Sequence, residues 1–435
     1  MNQGGTVQHG RRDAITSASQ AMAAYPDAAD KSSLRRNNLG VVLRHLREHG
    51  AQSRTRIASE VGLPKATVSV LVTELIQRGL AREGELDRAG AVGRPRRMVE
   101  LDGPSICGMG AEIGVDHVRV VALNLRGDVV LDDRLALDLP TLSPEGAIAQ
   151  VGGLVRAGLR ALAERGVRTV GVTLATQGTV DTTTGTVGVA TNLGWHDVHV
   201  ARELRTHLDG DAPPVLVEND AECGALAEYL AAPTPDIREL VYVTGGIGVG
   251  GASISDGKLL RGSEFGHMRL DRRDRPCACG RTGCWEVAVG LQAFLDAAAD
   301  SGDRVHDRSV DLTERLDELL ARADRGDART LAALDEIADS LALGLGVLAD
   351  VLNPPRIVLG GYFAYFGGYL LDEVQRSLDA RKISPTSERI LVTASTLGLS
   401  NAARGGAQLT LERIFHNPTA VPPRTEGAGL AVTGN

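Results

Sequence analysis

The stretch HMRLDRRDRPCACGRTGCWE, His267 to Glu286, packs three of the chain's five cysteines into eight residues. The spacing Cys277-x-Cys279-x4-Cys284 is too tight for a disulfide network, and three thiols leave one unpaired. Gly280 and Gly283 supply turns through which three sulfurs can converge on one point. Zinc takes four such ligands, almost always Cys or His, and His267 stands ten residues before Cys277. The pattern predicts one structural zinc per chain, held by His267, Cys277, Cys279 and Cys284. The plainer alternative is three reduced thiols on a loop.

Composition bounds what surrounds this loop. With 435 residues and 43% hydrophobic content, the chain can build two or three domains with cores of their own. Its most apolar run, LALGLGVLADVLN, is cut by Asp350 and is too short to span a membrane. The first thirty residues carry no charged-then-apolar leader, and sparse, clustered cysteines fit a reducing, cytoplasmic setting. The net charge of −8 is uneven. Between Lys31 and Glu100 stand 14 lysines and arginines against 7 acids, a local +7 that leaves −15 to the remainder. A basic module on an acidic body points to a polyanion as partner of the first part only.

That basic module has the pattern of a winged helix-turn-helix over residues 34–103. NLGVVLRHLREH places Leu39, Val42, Leu43 and Leu46 on one helical face. Ser53 can cap a short second helix that buries Ile57 and Val61. In LPKATVSVLVTELIQRGL, Pro64 suits a first helical position. Val68, Leu71, Val72 and Leu75 form the buried stripe, so Lys65, Thr67 and Ser69 face outward near the helix start, where a recognition helix meets the major groove. The segment AREGELDRAGAVGRPRRMVELD reads as a two-stranded hairpin whose tip offers Arg94 and Arg96 to an A·T-rich minor groove. Double-stranded DNA with an inverted repeat, read by a homodimer or tetramer, is the expected partner. A protein-binding helical bundle is the alternative.

From residue 104 to 416 the pattern turns α/β. Three meander strands, a long helix and buried strands come first. A second meander at ELVYVTGGIGVGGASISDGKLL follows, then helices and the strand RIVLGG. Two copies of one plan predict two similar lobes around a cleft. Residues 1–33 and 417–435 read as a flexible N-terminal segment and a disordered tail.

GSEFGH at 262–267 followed by CACGRTGCWE at 277–286 resembles the signature of the ROK proteins (repressors, open reading frames and kinases). The resemblance implies an actin-like, two-lobed sugar-kinase fold. With a winged helix ahead of it, the chain is similar to the family's transcriptional-regulator branch, which includes xylose-, N-acetylglucosamine- and glucose-responsive repressors. By the same resemblance, Asn192 of NLGW, Asn219 and Asp220 of VEND, Glu264, His267 and Glu286 contact a sugar or sugar-phosphate effector. Asp220 matches the base of the kinase members. Trp195 is expected in the core.

The chain departs from the kinase pattern at Glu112-Ile113-Gly114-Val115-Asp116-His117, where Asp-x-Gly-Gly-Thr would cradle ATP phosphates. Val115 blocks backbone approach, and Asp116 puts negative charge where phosphates would come. Glu222 and Thr176-Gln177-Gly178 are smaller departures. The glycines at 245–251 and Gly360-Gly361 are retained. The expectation is a non-enzymatic carbohydrate-responsive repressor. Its alternatives are an ATP-dependent sugar kinase with an accessory DNA-binding domain, and a dimerisation scaffold with no effector.

Overall fold

A computed structural model describes residues 31–87, 96–231, 238–381 and 389–424. The N-terminal module contains helices α1 (Lys31–His49), α2 (Arg54–Val61) and α3 (Lys65–Gln77). Leu39, Val42, Leu43 and Leu46 of α1 meet Ile57 of α2 and the stripe Val68, Leu71, Val72 and Leu75 of α3 in one core. Val61 packs at its edge, partly buried. Ser53 caps α2, its Oγ accepting from the Arg56 N–H at 3.4 Å. Pro64, with ψ 141°, stands one residue before α3.

Two boundaries differ from expectation. Residues 31–33 of helix α1 are helical, inside the segment expected to be flexible. The hairpin is part of a three-stranded sheet: β1 (Gln52–Ser53), β2 (Ala81–Asp87) and β3 (Arg96–Leu101) run in the order β1-β3-β2. A two-residue strand shows no alternation, so periodicity could not reveal it.

Lobe I opens with the meander β4 (Ile106–Ile113), β5 (His117–Asn124) and β6 (Val129–Ala136). Helix α4 (Pro144–Glu164) follows, with Pro144 in its first turn and Ser143 accepting from the Gly146 N–H at 3.1 Å. Then come β7 (Arg168–Thr176), a small sheet of β8 (Thr179–Asp181), β9 (Thr186–Ala190) and β10 (Trp195–Val198), helix α5 (Val200–Thr206), β11 (Val215–Asn219) and α6 (Asp220–Ala231). The main sheet runs β11-β7-β4-β5-β6.

Lobe II repeats the plan with β12 (Leu240–Gly245), β13 (Val249–Ser255) and β14 (Lys258–Leu260). Helices α7 (Glu286–Val289), α8 (Leu291–Ala298), α9 (Leu312–Asp324) and α10 (Ala328–Leu352) precede β15 (Arg356–Gly361), α11 (Tyr362–Tyr365), α12 (Gly367–Ala380) and β16 (Leu391–Ala394). Its sheet order, β14-β13-β12-β15-β16, matches lobe I strand for strand, with the hairpin antiparallel and the last two strands parallel. No helix among the described residues is long and apolar enough to cross a membrane.

The last helix, α13 (Asn401–His416), returns from lobe II to lie on the lobe I sheet. Its backbone comes so close to β4 that a Cβ on Gly110 would fall 1.8 Å from the Ala403 carbonyl oxygen. The far end of α13 enters the N-terminal module. Leu411, Ile414 and Phe415 share one hydrophobic core with α1, α3 and strands β4 and β5. The Arg47 guanidinium lies 4.2 Å from the Phe415 ring centroid and pairs with Glu412, and Arg44 donates to the Phe415 carbonyl at 2.9 Å.

Residues 417–424 correct the expected disordered tail. Val421 is buried in that same core, Arg78 donates to its carbonyl, and Arg424 N–H donates to the Gln77 carbonyl at 2.8 Å. The segment is anchored mainly through backbone groups, which its Pro-rich composition does not disclose.

Candidate functional site

The two lobes enclose a cavity of about 420 Å3 whose walls include Asn192, Asn219, Asp220, Glu264, His267 and Glu286. All six expected effector residues therefore face one space. Strand β11 delivers Asn219 and α6 begins at Asp220, while α7 begins at Glu286. The glycine-rich turn between β12 and β13 carries Gly248, where a Cβ would come within 2.4 Å of Glu286 Oε2 and 2.9 Å of Asn192 Nδ2. Only glycine lets these groups from opposite lobes approach through that point.

Asn219 is largely spent on the protein itself. Its Nδ2 donates to the Gly178 carbonyl at 3.0 Å and its Oδ1 accepts from the Glu222 N–H at 3.0 Å, as a helix cap does. Asp220 accepts from the Ala221 N–H through Oδ1 at 2.8 Å. Burial, and then the neighbouring Glu112 carboxylate, push Asp220 up to about 6. Glu222, one of the departures, turns away to hold a loop: its Oε2 and that of Glu218 each accept from Arg261 at 2.8 Å, and its Oε1 accepts from the Gly262 N–H at 3.0 Å. Trp195 is buried in the lobe I core.

The four residues of the cysteine-rich loop also converge. One ligand atom from each of His267, Cys277, Cys279 and Cys284 lies within 4.8 Å of the others. Cys279 Sγ and Cys284 Sγ are 3.6 Å apart, and Cys277 Sγ is 3.7 Å from His267 Nδ1. Metal–sulfur bonds of about 2.3 Å in a tetrahedron put sulfurs about 3.8 Å apart, near these two spacings; Cys277, whose thiol donates to Glu286 Oε1 at 2.8 Å, would give up that bond as a ligand. Burial disfavours the Cys279 thiolate, yet the Arg281 guanidinium 3.4 Å from Sγ outweighs it and brings the thiol down to about 6. His267 turns Nε2 towards Glu264, 3.9 Å away.

The stretch Glu112–His117 is arranged differently from the sequence expectation. Asp116 does not stand as bare repulsive charge. It is buried, accepting from Arg315 of α9 at 2.8 Å and lying 3.0 Å from His117 Nδ1. Its carboxyl is held far below the usual range; burial opposes this, and His117 and Arg315 outweigh burial. His117 also faces Glu112 at 3.4 Å. Burial opposes the imidazolium, but the two carboxylates raise it to about 9. Arg315 of lobe II is thus locked onto lobe I, and Arg134–Asp311 and Arg308–Asp138 bridge the lobes beside it. Arg315 was missed by sequence reasoning. Its signal was a charge within the buried face of α9, among Leu312, Leu316 and Leu319.

On the N-terminal module, Lys65 is exposed and Thr67 and Ser69 are half-exposed at the start of α3. Val70, 60% exposed beside them, was not anticipated; an apolar side chain there suits a thymine methyl. Arg94 lies outside the described residues, as does the side chain of Arg96.

Residues 108–413 match the ROK family and residues 39–85 match the IclR helix-turn-helix domain. The chain belongs to the ROK family. It is 27% identical over 376 residues to the xylose repressor of Caldicellulosiruptor bescii, covering 84% of this chain and 92% of that one. It is 25% identical over 319 residues to a glucokinase of Streptomyces coelicolor, covering 70% of this chain and 97% of that one. Among solved structures, a ROK-family transcriptional regulator homologous to the Escherichia coli Mlc protein superposes with a TM-score of 0.70 at 21% identity, over 88% of this chain and 97% of that one.

Proposed function

We propose that this ROK-family chain is a DNA-binding transcriptional repressor of carbohydrate genes, whose operator affinity is set by a sugar in the interlobe cavity. The observation that carries the reading is continuity. The core of the helix-turn-helix module runs through α13 onto the sheet that supplies Glu112, and the neighbouring β7 and β11 lead to Asn219 and Asp220. A ligand that changes the spacing of the lobes has a packed path to the recognition helix. Lys65, Thr67, Ser69 and Val70 would read the major groove. Arg94 and Arg96 would enter the minor groove, and a symmetric oligomer would match an inverted repeat. DNA as partner makes the cytoplasm the place of action.

Charge in the cavity favours a neutral sugar over a sugar phosphate. Its described lining includes Glu112, Asp220, Glu264 and Glu286, against His267 and Arg281, while Asp116 and His117 are paired with each other. The relatives named xylose repressors make neutral pentoses the first to try. The same imbalance speaks against ATP. We read the protein as no kinase.

A pentose and hexose panel in an operator-release assay tests the site. Asp220→Asn should weaken the effective sugar by about 1–3 kcal/mol, roughly fivefold to 150-fold. Because the native carboxyl is raised above its unfolded value, ionising it destabilises the fold as pH rises from about 4 to 6. The same variant should therefore melt slightly higher than wild type when sugar-free at pH 7. Equal release from wild type and variant would place the effector elsewhere.

Zinc, in this reading, fixes the 262–286 loop so that His267 and Glu286 keep their places in the cavity wall. Protein purified without added metal should contain about one equivalent by elemental analysis. Cys279→Ser should lose it and lose sugar response more than operator binding. A metal-free protein with unchanged sugar response would refute the assignment.

A further inference from the structure

We propose a second metal site, in the DNA-binding module, formed by His45, His49 and Glu60 and suited to a divalent transition metal of the zinc and nickel type. His45 and His49 are four residues apart on the last turns of α1, so one helix face carries both. Their rings stack with centroids 4.3 Å apart. Glu60 comes from α2, and one ligand atom of each of the three lies within 4.8 Å of the others. Imidazole and carboxylate are the donor set that zinc, nickel and copper prefer.

Hydrogen bonding sets the donor nitrogens, and the stacked rings must turn about their side-chain bonds for both in-plane lone pairs to meet one ion. His49 Nδ1 lies 3.1 Å from the His45 carbonyl oxygen. A carbonyl can only accept, so Nδ1 carries the proton, and the neutral ring keeps its lone pair on Nε2. This is the arrangement in which metal-bound histidines are fixed by their second nitrogen. Glu60 is oriented too: Oε1 accepts from Arg56 Nε at 2.7 Å, leaving Oε2 3.2 Å from His45 Nε2. The buried Gln52 Oε1 is 3.0 Å from the same nitrogen. Without metal, His45 Nε2–H donates to Gln52 Oε1, with Glu60 Oε2 beside it. A bound ion replaces that proton, and Gln52 Oε1 is placed to accept from a water completing the coordination. The small cavity here is also lined by Arg44, Glu48 and Val61, which adds a further carboxylate and one guanidinium nearby. The ion would tie the end of α1 to α2, the helix that precedes the recognition helix.

The test uses tag-free full-length protein with the cysteine-rich loop already filled with zinc, titrated with nickel(II). One further equivalent should bind, with paramagnetic broadening of the His45 and His49 ring signals in the NMR spectrum. His49→Ala and Glu60→Gln should each weaken this second event by about a hundredfold, while zinc in the cysteine loop is retained. Both residues are solvent-exposed. Should the histidine variant lose its helical circular dichroism, the nearly isosteric Glu60→Gln decides alone. Uptake of no second equivalent, or of one that neither substitution affects, overturns the proposal.

Discussion

Arg315→Ala should destabilise the folded chain by about 3–5 kcal/mol, the usual consequence of stranding one member of a buried ion pair. Arg315 and Asp116 are both almost fully buried and come from different lobes. Removing the guanidinium leaves Asp116 with His117 and the more distant Arg134, and frees the Val305 carbonyl that accepts from Arg315 Nε at 2.8 Å. Urea denaturation at constant slope measures the loss. Asp116→Leu combined with Arg315→Met should recover much of it, because the pair is then removed with its desolvation cost. A single-variant loss under about 1 kcal/mol would mean that the bridge is open to water. pH gives an independent reading. His117 is raised above its unfolded value near 6.5, so its contribution is complete below that pH and is lost as pH rises through about 9. Wild type should weaken across that window, and His117→Gln should flatten the dependence.

Phe415→Ala should cost about 3–5 kcal/mol as well, and its functional consequence should be more specific. The ring is buried where the helix-turn-helix module, α13 and lobe I meet. Emptying that position loosens the junction while the cavity between the lobes keeps all its lining side chains. Calorimetry should resolve two transitions where wild type shows one. The variant should still bind sugar, and its operator affinity should respond less to it. Full coupling in a variant with a split melting profile would show that communication bypasses this core.

The sequence was enough for what depends on neighbours along the chain. The stripes at 39–46 and 68–75 fixed the helices of the first module, because 3.6-residue periodicity is a local property. Doubled meanders announced two lobes, and strand order bears this out. The loop from His267 to Glu286 named the four residues that converge there because turns at Gly280 and Gly283 bring close residues closer. Partners separated by long stretches of chain were not legible. Arg315 meets Asp116 across 199 residues, and Phe415 meets Arg44 across 371. Neither pair leaves a periodic trace. Asp116 therefore read as a charge facing phosphates, and Val421 as part of a loose tail, until packing supplied each with a partner. Burial changes the meaning of a charged or apolar residue by removing water from it, and which residues lose their water is settled only when the lobes and the module close on one another.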